Sequence, residues 1–270
     1  MIVDGKKIAQ DIYTQLEKQA GSRPTLVIVV VGDNPVIASF VRIKKKNAAR
    51  LGVGVIEKLL PSSATTEDCV LAISECAATS NGIIVQLPLP NHIDTETVLA
   101  AIPHEQDVDG IYPISTLDRA NAVFVSNTIP PVAAALDEII HTYSIKVSGK
   151  SAVVVGAGRL VGKPCAALLV SRGAQITILS HGDSLEKLKT ADIIVLGAGS
   201  PGFVKPEMIK EGVVLIDAGT SEDGGKMLGD ADSECASKCS LFTPVPGGIG
   251  PIAVAMIFKN LFALTTLQTK

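Results

Sequence analysis

From its longest uninterrupted apolar runs and its first residues, we expect the sequence to have no membrane-spanning segment and no secretory leader. Its longest apolar runs, such as residues 26–31, fall far short of the roughly 20 residues that a membrane-spanning helix needs. The first ten residues, MIVDGKKIAQ, lack an apolar core behind a basic start and lack a cleavage site. We therefore expect a cytoplasmic protein that does not associate with membranes.

An excess of positive charge is also missing. The chain has 24 Lys and Arg against 27 Asp and Glu, which gives a formal net charge of −3 and a pI near 5.8. The basic residues are scattered apart from one cluster, residues 44–46. Because nucleic acids are bound mainly through their phosphates by basic surfaces, we do not expect a nucleic acid as a partner.

Cysteine patterns that are typical of metal sites are absent. None of the five cysteines belongs to a CxxC motif, and the two nearest the C-terminus have no histidine close to them in sequence. An odd number of thiols in a chain of 270 residues does not indicate a disulfide framework. We predict buried or incidental thiols, and no metal site, at Cys69, Cys76, Cys165, Cys235 and Cys239.

The chain does contain an alternation of short β-branched runs with longer helix-like stretches. With 47% hydrophobic and 19% charged residues it has the composition of a globular protein of one large or two modest domains. Alternating strands and helices predict an α/β fold with parallel sheets, whose apolar strands are covered on both faces. The predicted strands are residues 26–31, 82–85, 152–155, 175–179, 192–196 and 213–216.

A helix over residues 129–145 is predicted between two series of strands. It is entered through Pro130 and Pro131, and its apolar residues recur at helical spacing. We expect this helix to link two domains. The second strand series ends in the Gly/Pro-rich stretch 243–251, after which residues 252–264 are predicted to form a final helix that packs back on the first domain.

The predicted strand 152–155 runs directly into a glycine-rich turn and a helical stretch. Strand, glycine turn and helix are the context of a dinucleotide site, where glycines let backbone amides approach a pyrophosphate at a helix N-terminus. The spacing here is GxGxxxG, from Gly156 to Gly162, one residue longer than the common GxGxxG. A purely structural turn also needs glycines, so both interpretations stand at this point.

The choice between NAD and NADP is open in the sequence. No Asp or Glu ends the strand that follows the glycine turn, at Leu179 and Ser180. Asp183, just beyond it, can accept a hydrogen bond from a ribose hydroxyl, which favours NAD, whereas Arg159 or Lys163 can meet a 2′-phosphate, which favours NADP.

Six fragments, in order, span nearly the whole chain and resemble the family of bifunctional methylenetetrahydrofolate dehydrogenase/methenyltetrahydrofolate cyclohydrolases. They are VGDNP (31–35), FVRIKKK (40–46), VQLPLP (85–90), DVDG (107–110), VGKP (161–164) and TPVPGGIGP (243–251). This ordered set is far more specific than a glycine turn alone. The resemblance implies an α/β fold with a folate-binding catalytic domain, 1–145 completed by 251–270, a Rossmann-type NAD(P)-binding domain, 146–250, and a homodimer.

Two successive reactions are implied by the resemblance. Hydride transfer from 5,10-methylenetetrahydrofolate to NADP, or to NAD, gives the 5,10-methenyl cation, which water then opens to 10-formyltetrahydrofolate. Hydride transfer needs mainly alignment, whereas hydrolysis needs water activation and proton movement.

The resemblance assigns catalytic roles to Lys44, Gln86 and Asp109. Lys44 takes the place of the catalytic base, Gln86 the place of the glutamine that positions it, and Asp109 the place of the carboxylate that binds the pterin. A lysine base needs a pKa well below its normal value of about 10.4. From the residues alone, a solvated lysine face, a capping glutamine and an Asp-Gly turn explain the same pattern.

The binding residues follow from the same match. The substrate-binding set is Phe40, Asp109, Pro88, Gly247, Gly248 and Pro251. The cofactor-binding set is Gly156, Ala157, Gly158, Arg159, Val161, Gly162, His181, Gly197 and Thr220.

The sequence departs from the family pattern at several neighbours of these residues. Phe40 stands where a tyrosine is usual, Gln106 where a lysine precedes DVDG, and Gly-Ala-Gly at 156–158 where Gly-Arg-Ser is usual. Three hypotheses follow: a bifunctional enzyme, a dehydrogenase that has lost cyclohydrolase activity, and a non-catalytic protein that binds folate or a dinucleotide.

Overall fold

The computed structural model describes residues 1–19, 23–111, 128–223 and 226–268 and confirms the alternation of strands and helices. The helices are α1 (Gly5–Glu17), α2 (Pro35–Leu51), α3 (Thr66–Ala77), α4 (Thr95–Ala100), α5 (Pro131–Thr142), α6 (Gly162–Ser171) and α7 (Ile249–Gln268). The strands are β1 (Thr25–Val31), β2 (Gly54–Leu60), β3 (Gly82–Val85), β4 (Ser151–Val155), β5 (Gln175–Leu179), β6 (Ile193–Leu196), β7 (Val214–Asp217), β8 (Ser221–Asp223), β9 (Lys226–Leu228) and β10 (Leu241–Phe242).

The first sheet is parallel, in the order β2-β1-β3. Strand β1, TLVIVVV, is buried along nearly its whole length because β-branched side chains pack well on a pleated surface covered on both faces. Strand β2 was not predicted. Two charged residues in its middle, Glu57 and Lys58, interrupt its apolar pattern, and they form ion pairs with Lys45 of α2 and Glu75 of α3.

The second sheet is also parallel, in the order β10-β7-β6-β4-β5. The chain starts at β4 in the interior, adds β5 on one side and then crosses to β6 on the other. In open α/β sheets, ligands bind outside the carboxyl ends of the strands at such a switch point. The predicted α/β class with parallel sheets is confirmed.

The chain divides into two compact units. The first sheet lies in a unit that includes residues 11–111, 128–129 and 257–268, and the second sheet in a unit that includes residues 1–10, 130–223 and 226–256. Helix α5, predicted over 129–145 and observed over Pro131–Thr142, falls in the unit of the second sheet. The predicted ligand-binding domains, 1–145 with 251–270 and 146–250, stay a prediction.

Helix α7 is longer than the predicted 252–264 and extends over Ile249–Gln268. By length and composition alone this helix is apolar enough to span a membrane, but 61% of its apolar segment is buried, as in a core helix. Its Asn260 side chain donates hydrogen bonds to the carbonyl oxygens of Val108, at 2.9 Å, and Ile129, at 2.8 Å. The middle of α7 thereby fixes the backbone just before Asp109.

All five cysteines are free and buried, as predicted. Burial raises the pKa of Cys165 to about 12, so this thiol stays protonated and unreactive at neutral pH.

Gln106 replaces the lysine that the family pattern has before DVDG. Its side chain forms hydrogen bonds with backbone carbonyl groups at the C-terminal end of α3 and just beyond it. Its side chain is buried, and Nε2 donates to the carbonyl oxygens of Ala77, at 2.8 Å, and Ser80, at 2.7 Å. The last carbonyls of a helix have no partner within the helix. Gln106 therefore satisfies acceptors that are otherwise left without a donor.

We predict that Gln106→Met lowers the free energy of unfolding by about 1–3 kcal/mol, because buried carbonyl oxygens lose their donors. Urea denaturation followed by circular dichroism measures the change. Glu105→Met, at the exposed neighbouring position, serves as the control and should leave the free energy nearly unchanged. Equal stability of the two variants would contradict the assigned role.

Candidate active site

Lys44 is buried because it lies on the apolar face of α2. The helix begins at Pro35, and the Asn34 side chain accepts from the backbone N–H of Val36, at 2.9 Å, and caps it. Lys44 is only 8% exposed, whereas Lys45 and Lys46 are exposed. A solvated face therefore explains Lys45 and Lys46 but not Lys44, which shares helical spacing with the buried Ile37, Val41, Ala48 and Leu51.

Gln86 follows β3 and contacts the amine of Lys44 directly. Lys44 Nζ donates to Gln86 Oε1 at 2.6 Å, and both side chains are buried. Gln86 Nε2 donates to the carbonyl oxygen of Leu87 at 3.0 Å, and the backbone N–H of Gln86 donates to Val29 at 2.9 Å. These bonds fix the amide so that its oxygen faces the amine.

Asp109 brings a carboxylate into the electrostatic environment of Lys44. Burial lowers the pKa of Lys44, and the charge of Asp109 opposes that change. Burial raises the pKa of Asp109 to about 6, the charge of Lys44 acts against this increase, and Asp107 adds to it. An amine with a lowered pKa and a carboxyl with a raised pKa are suited to proton transfer near neutral pH.

Phe40 lies four residues before Lys44 on α2 and is half-buried. Nearby in sequence, the VGDNP motif and the prolines after Gln86 line a depression of about 410 Å³ at the carboxyl ends of β1 and β3. Pro88 contributes to its wall, but Lys44, Gln86 and Asp109 do not. Its lining residues are Val31, Gly32, Asp33, Asn34, Pro35, Ile37, Pro88, Leu89 and Pro90.

The predicted cofactor residues all follow strands of the second sheet at its carboxyl edge. The glycine turn follows β4, and His181, Gly197 and Thr220 follow β5, β6 and β7. His181 and Thr220 are exposed, as are Ala157 and Gly158. Because the strands are parallel, these turns meet at one edge, and β4 and β6 form its switch point.

The glycines of the turn differ in what a side chain at each position would contact. Gly156 has a φ of +95°, and a Cβ built on it lies 2.4 Å from the carbonyl oxygen of Gly197. A Cβ on Gly162 lies 1.7 Å from the carbonyl oxygen of Gly156, whereas a Cβ on Gly158 has open space around it. Gly156 and Gly162 therefore allow the turn to close, and Gly158 leaves room for a ligand.

The N-terminus of α6 is not capped by a side chain. Its first residue is Gly162, and the half-buried Val161 before it makes no capping bond. The backbone N–H of Lys163 donates to the carbonyl oxygen of Gly158 at 3.0 Å and Pro164 has no N–H, so among the first three residues of α6 only Gly162 can offer its N–H to a phosphate. Arg159 is half-buried and Lys163 is exposed beside this helix start, while Asp183 Oδ2 accepts from the backbone N–H of Ser180 at 2.7 Å.

The TPVPGGIGP stretch forms a tight turn that leads into α7. The backbone N–H of Gly5 donates to the carbonyl oxygen of Gly247 at 3.0 Å, and Gly247 has a φ of +105°. A Cβ on Gly248 lies 2.6 Å from the carbonyl oxygen of Pro244. Pro251 falls in the first turn of α7, where a proline loses no helical hydrogen bond.

Several residues that organise these loops were not predicted. Asp217, Asp230, Thr243 and Asn260 are buried polar side chains whose bonds go to backbone groups of the site loops. The sequence signal for Asp217 is an acidic residue that ends an apolar strand. Asp230 and Asn260 have no comparable local signal, because their partners are distant in sequence.

The fold and these sites define a class of protein: an α/β enzyme with two parallel sheets, a dinucleotide-binding edge on the second sheet, and a lysine, an amide and a carboxylate in the unit of the first sheet. Residues 3–109 match the catalytic domain, and residues 130–269 the NAD(P)-binding domain, of the tetrahydrofolate dehydrogenase/cyclohydrolase family. The chain belongs to this family, and the family prediction is confirmed.

Individual relatives agree over the full length. The chain is 40% identical to the bifunctional protein FolD of Halothermothrix orenii, over 96% of this chain and 95% of the relative. The crystal structure of the bifunctional dehydrogenase/cyclohydrolase FolD of Campylobacter jejuni matches with a TM-score of 0.91 at 31% identity, covering 99% of each chain. The Trypanosoma brucei FolD complexed with NADP and inhibitor matches with a TM-score of 0.92 at 30% identity, covering 100% of this chain and 98% of that one.

The glycine geometry leads to a test of which glycines support the fold. We predict that Gly162→Ala lowers the thermal unfolding midpoint by several degrees, because the new methyl group overlaps the Gly156 carbonyl and the backbone must shift. Gly158→Ala, the matched control, should leave the midpoint within about one degree, since its Cβ enters open space. Differential scanning calorimetry measures the unfolding midpoint of both variants. A lower midpoint for Gly158→Ala than for Gly162→Ala would refute the distinction between the two glycines.

Proposed function

We propose that this protein oxidises 5,10-methylenetetrahydrofolate with NADP, or with NAD, and hydrolyses the 5,10-methenyl product to 10-formyltetrahydrofolate in one-carbon metabolism. The observation that carries the proposal is the buried Lys44 amine, held 2.6 Å from Gln86 Oε1 and under the charge of Asp109. Family membership supplies the two reactions, and this site supplies the residues for the hydrolytic one.

In the hydrolysis, Lys44 acts as the base that activates water. Its lowered pKa leaves a larger neutral fraction, which takes a proton from water as the oxygen attacks the methenyl carbon. Lys44 then returns that proton to N5 as the bond between this carbon and N5 breaks, and one proton leaves to solvent. Gln86 Oε1 accepts a hydrogen bond from the amine throughout and keeps its lone pair or proton directed at the substrate.

Asp109 holds the pterin and Phe40 stacks on the substrate in this proposal. An ionised carboxylate accepts two hydrogen bonds, which suits the amino-pyrimidine edge of a folate. Pro88, Gly247, Gly248 and Pro251 complete the predicted substrate-binding set, as rigid backbone close to the folate or the nicotinamide.

The residues of the second sheet fit a nicotinamide dinucleotide, which supplies the hydride acceptor. Gly158 leaves open space, Gly162 can offer its N–H at the start of α6 to a pyrophosphate, and Gly197, His181 and Thr220 follow neighbouring strands. NADP is favoured because Lys163 is exposed beside the turn, where it can meet a 2′-phosphate. The NADP complex of the Trypanosoma brucei relative supports the same choice.

A homodimer joined through β2 completes the proposal. Within the described residues, strand β2 is an edge of its sheet that pairs with β1 alone, and it exposes Ile56 at 43% and Leu59 at 64%. An edge strand with exposed apolar residues is a ready site for pairing with a second copy. We also propose a cytoplasmic location without membrane or nucleic-acid partners, and the folate- and cofactor-binding domains at 1–145 with 251–270 and at 146–250.

A dehydrogenase without cyclohydrolase activity is the second candidate. The observation that favours it is Phe40, because its ring has no hydroxyl to hydrogen-bond near Lys44. Lys44, Gln86 and Asp109 remain in place, which favours the bifunctional enzyme.

Absorbance spectroscopy of the purified protein with methylenetetrahydrofolate tests the proposed function. Parallel reactions contain NADP+ or NAD+, and both the reduced cofactor and methenyltetrahydrofolate are followed. We expect reduced cofactor, faster with NADP+, without lasting methenyl absorbance. Accumulating methenyltetrahydrofolate would support the second candidate, and no signal with either cofactor would refute both.

We predict that Lys44→Met slows hydrolysis of added methenyltetrahydrofolate by about 100-fold or more, the usual contribution of a general base. Some hydride transfer should remain, because that step needs mainly alignment. Lys45→Met is the matched control: it removes an exposed lysine that pairs with Glu57 and should keep nearly full hydrolysis. Full hydrolysis in Lys44→Met would exclude the lysine as the base.

We predict that Leu59→Glu converts the dimer to a monomer, because a charge on the exposed edge opposes its burial. Light scattering after size-exclusion chromatography measures the mass. Leu267→Glu, which replaces an apolar residue of similar exposure, 52%, on α7, should leave a dimer. The proposed interface fails if Leu59→Glu remains dimeric.

A further inference from the structure

Asp230 is a fully buried carboxylate that holds the loop after β6. Its Oδ2 accepts from the backbone N–H groups of Ala198, at 2.7 Å, and Gly199, at 3.2 Å, and its Oδ1 accepts from Ser200 at 2.7 Å. Three successive N–H groups that converge in this way form a concave site for an anion. Here the protein's own carboxylate occupies that site.

A second buried carboxylate holds Asp230 in turn. Asp217, at the end of β7, accepts from the backbone N–H of Asp230 at 3.1 Å and from that of Ala231 at 2.8 Å. Thr243 Oγ1 accepts from the backbone N–H of Asp217 at 2.7 Å. A continuous series of hydrogen bonds therefore runs from the start of the TPVPGGIGP stretch to the loop after β6.

Both carboxylates are enclosed without a cationic partner in the described part of the chain. A Cβ on Gly219 lies 2.2 Å from Asp230 Cγ, and a Cβ on Gly229 lies 2.2 Å from Asp217 Oδ2. The charge is therefore balanced by backbone N–H groups, which are strong partners for an ionised carboxylate. Such enclosure leaves no space for glutamate in place of either aspartate, and the geometry of the loop depends on these two residues.

The loop that Asp230 holds adjoins the glycine turn at the switch point. A Cβ on Gly156 lies 2.4 Å from the carbonyl oxygen of Gly197, and Asp230 binds the next three residues. A shift of the loop after β6 would therefore displace the glycine turn that it contacts. We propose that Asp230, supported by Asp217 and Thr243, is a positioning residue that fixes the loop after β6 for binding of the nicotinamide cofactor. This inference rests on the proposed function.

Asp230→Asn tests the proposal with almost no change of volume. The asparagine has one acceptor oxygen in place of two and turns an N–H donor toward backbone N–H groups, so at least one charged hydrogen bond is lost. We expect the KM for NADP+, and the Kd for NADPH from its fluorescence, to rise about tenfold or more. The kcat of the dehydrogenase should change less, and hydrolysis of added methenyltetrahydrofolate, which needs no cofactor, should keep the parent rate.

Thr243→Val provides a second variant, which breaks the series at its other end and should raise the same Kd a few-fold. Two control variants should behave as the parent protein. Asp232→Asn changes a neighbouring acid that pairs with Lys205, and Thr265→Val changes a buried threonine of α7 that donates to the carbonyl oxygen of Leu261.

An unchanged Kd for NADPH in both Asp230→Asn and Thr243→Val would overturn the proposal, as would a parallel loss of cofactor binding and hydrolysis. If Asp230→Asn does not fold, Thr243→Val alone decides. A parent protein that binds NADPH without turnover would refute the proposed reactions, while the difference in Kd between parent and variants would still test Asp230. A parent that does not bind NADPH would refute the positioning role itself.

Discussion

Burial of one amine, that of Lys44, is the constraint on which the proposed catalytic site depends. Removing a charged lysine from water is costly unless a partner accepts its hydrogen bonds, and otherwise the group loses its proton more readily. The unit that contains the first sheet meets this requirement with elements that are far apart in sequence. Helix α2 buries the side chain, the end of β3 supplies Gln86 Oε1, and the DVDG turn supplies Asp109. A change in any of these elements alters the protonation of the amine.

The cofactor-binding edge uses buried charge in a different way. Asp217 and Asp230 are more deeply buried than Lys44, but they accept bonds from backbone N–H groups and so stabilise loops. Burial raises the pKa of Asp217 to about 6, even though its backbone hydrogen bonds act in the opposite direction. Among the described residues the Lys44 amine has Gln86 Oε1 as its fixed acceptor, and in the proposed mechanism it exchanges a proton with the substrate, whereas the enclosed carboxylates have their oxygens occupied. Burial of the amine therefore serves proton transfer in the proposed mechanism, whereas burial of the two carboxylates serves to position loops.

Local patterns in the sequence predicted the interior strands of both sheets and the edge strands β3 and β5, but not the edge strands β2 and β10. The apolar runs of β1, β3 and β4 are buried on both faces, so their continuous hydrophobicity carried the signal. Strand β2 was missed because Glu57 and Lys58 lie in its middle. Periodicity alone also fails for Lys44, since a lysine on an apolar helical face is rare and only the family match singled it out. The bonds of Gln106, Asp230 and Asn260 join distant segments, so only the structure reveals them.

The expected effect on the rate of having phenylalanine in place of the usual tyrosine at position 40 decides between the two candidate functions. A tyrosine hydroxyl contributes one hydrogen bond, whose net worth is about 0.5–1.5 kcal/mol, or roughly a two- to thirteenfold effect on a rate. A general base contributes about 10²–10⁴-fold. The pair proposed to provide the base, Lys44 and Gln86, has its hydrogen bond at 2.6 Å. Loss of the hydroxyl therefore slows hydrolysis without abolishing it, and a chain that retains the lysine, the amide and the carboxylate is better explained as a bifunctional enzyme than as a dehydrogenase alone.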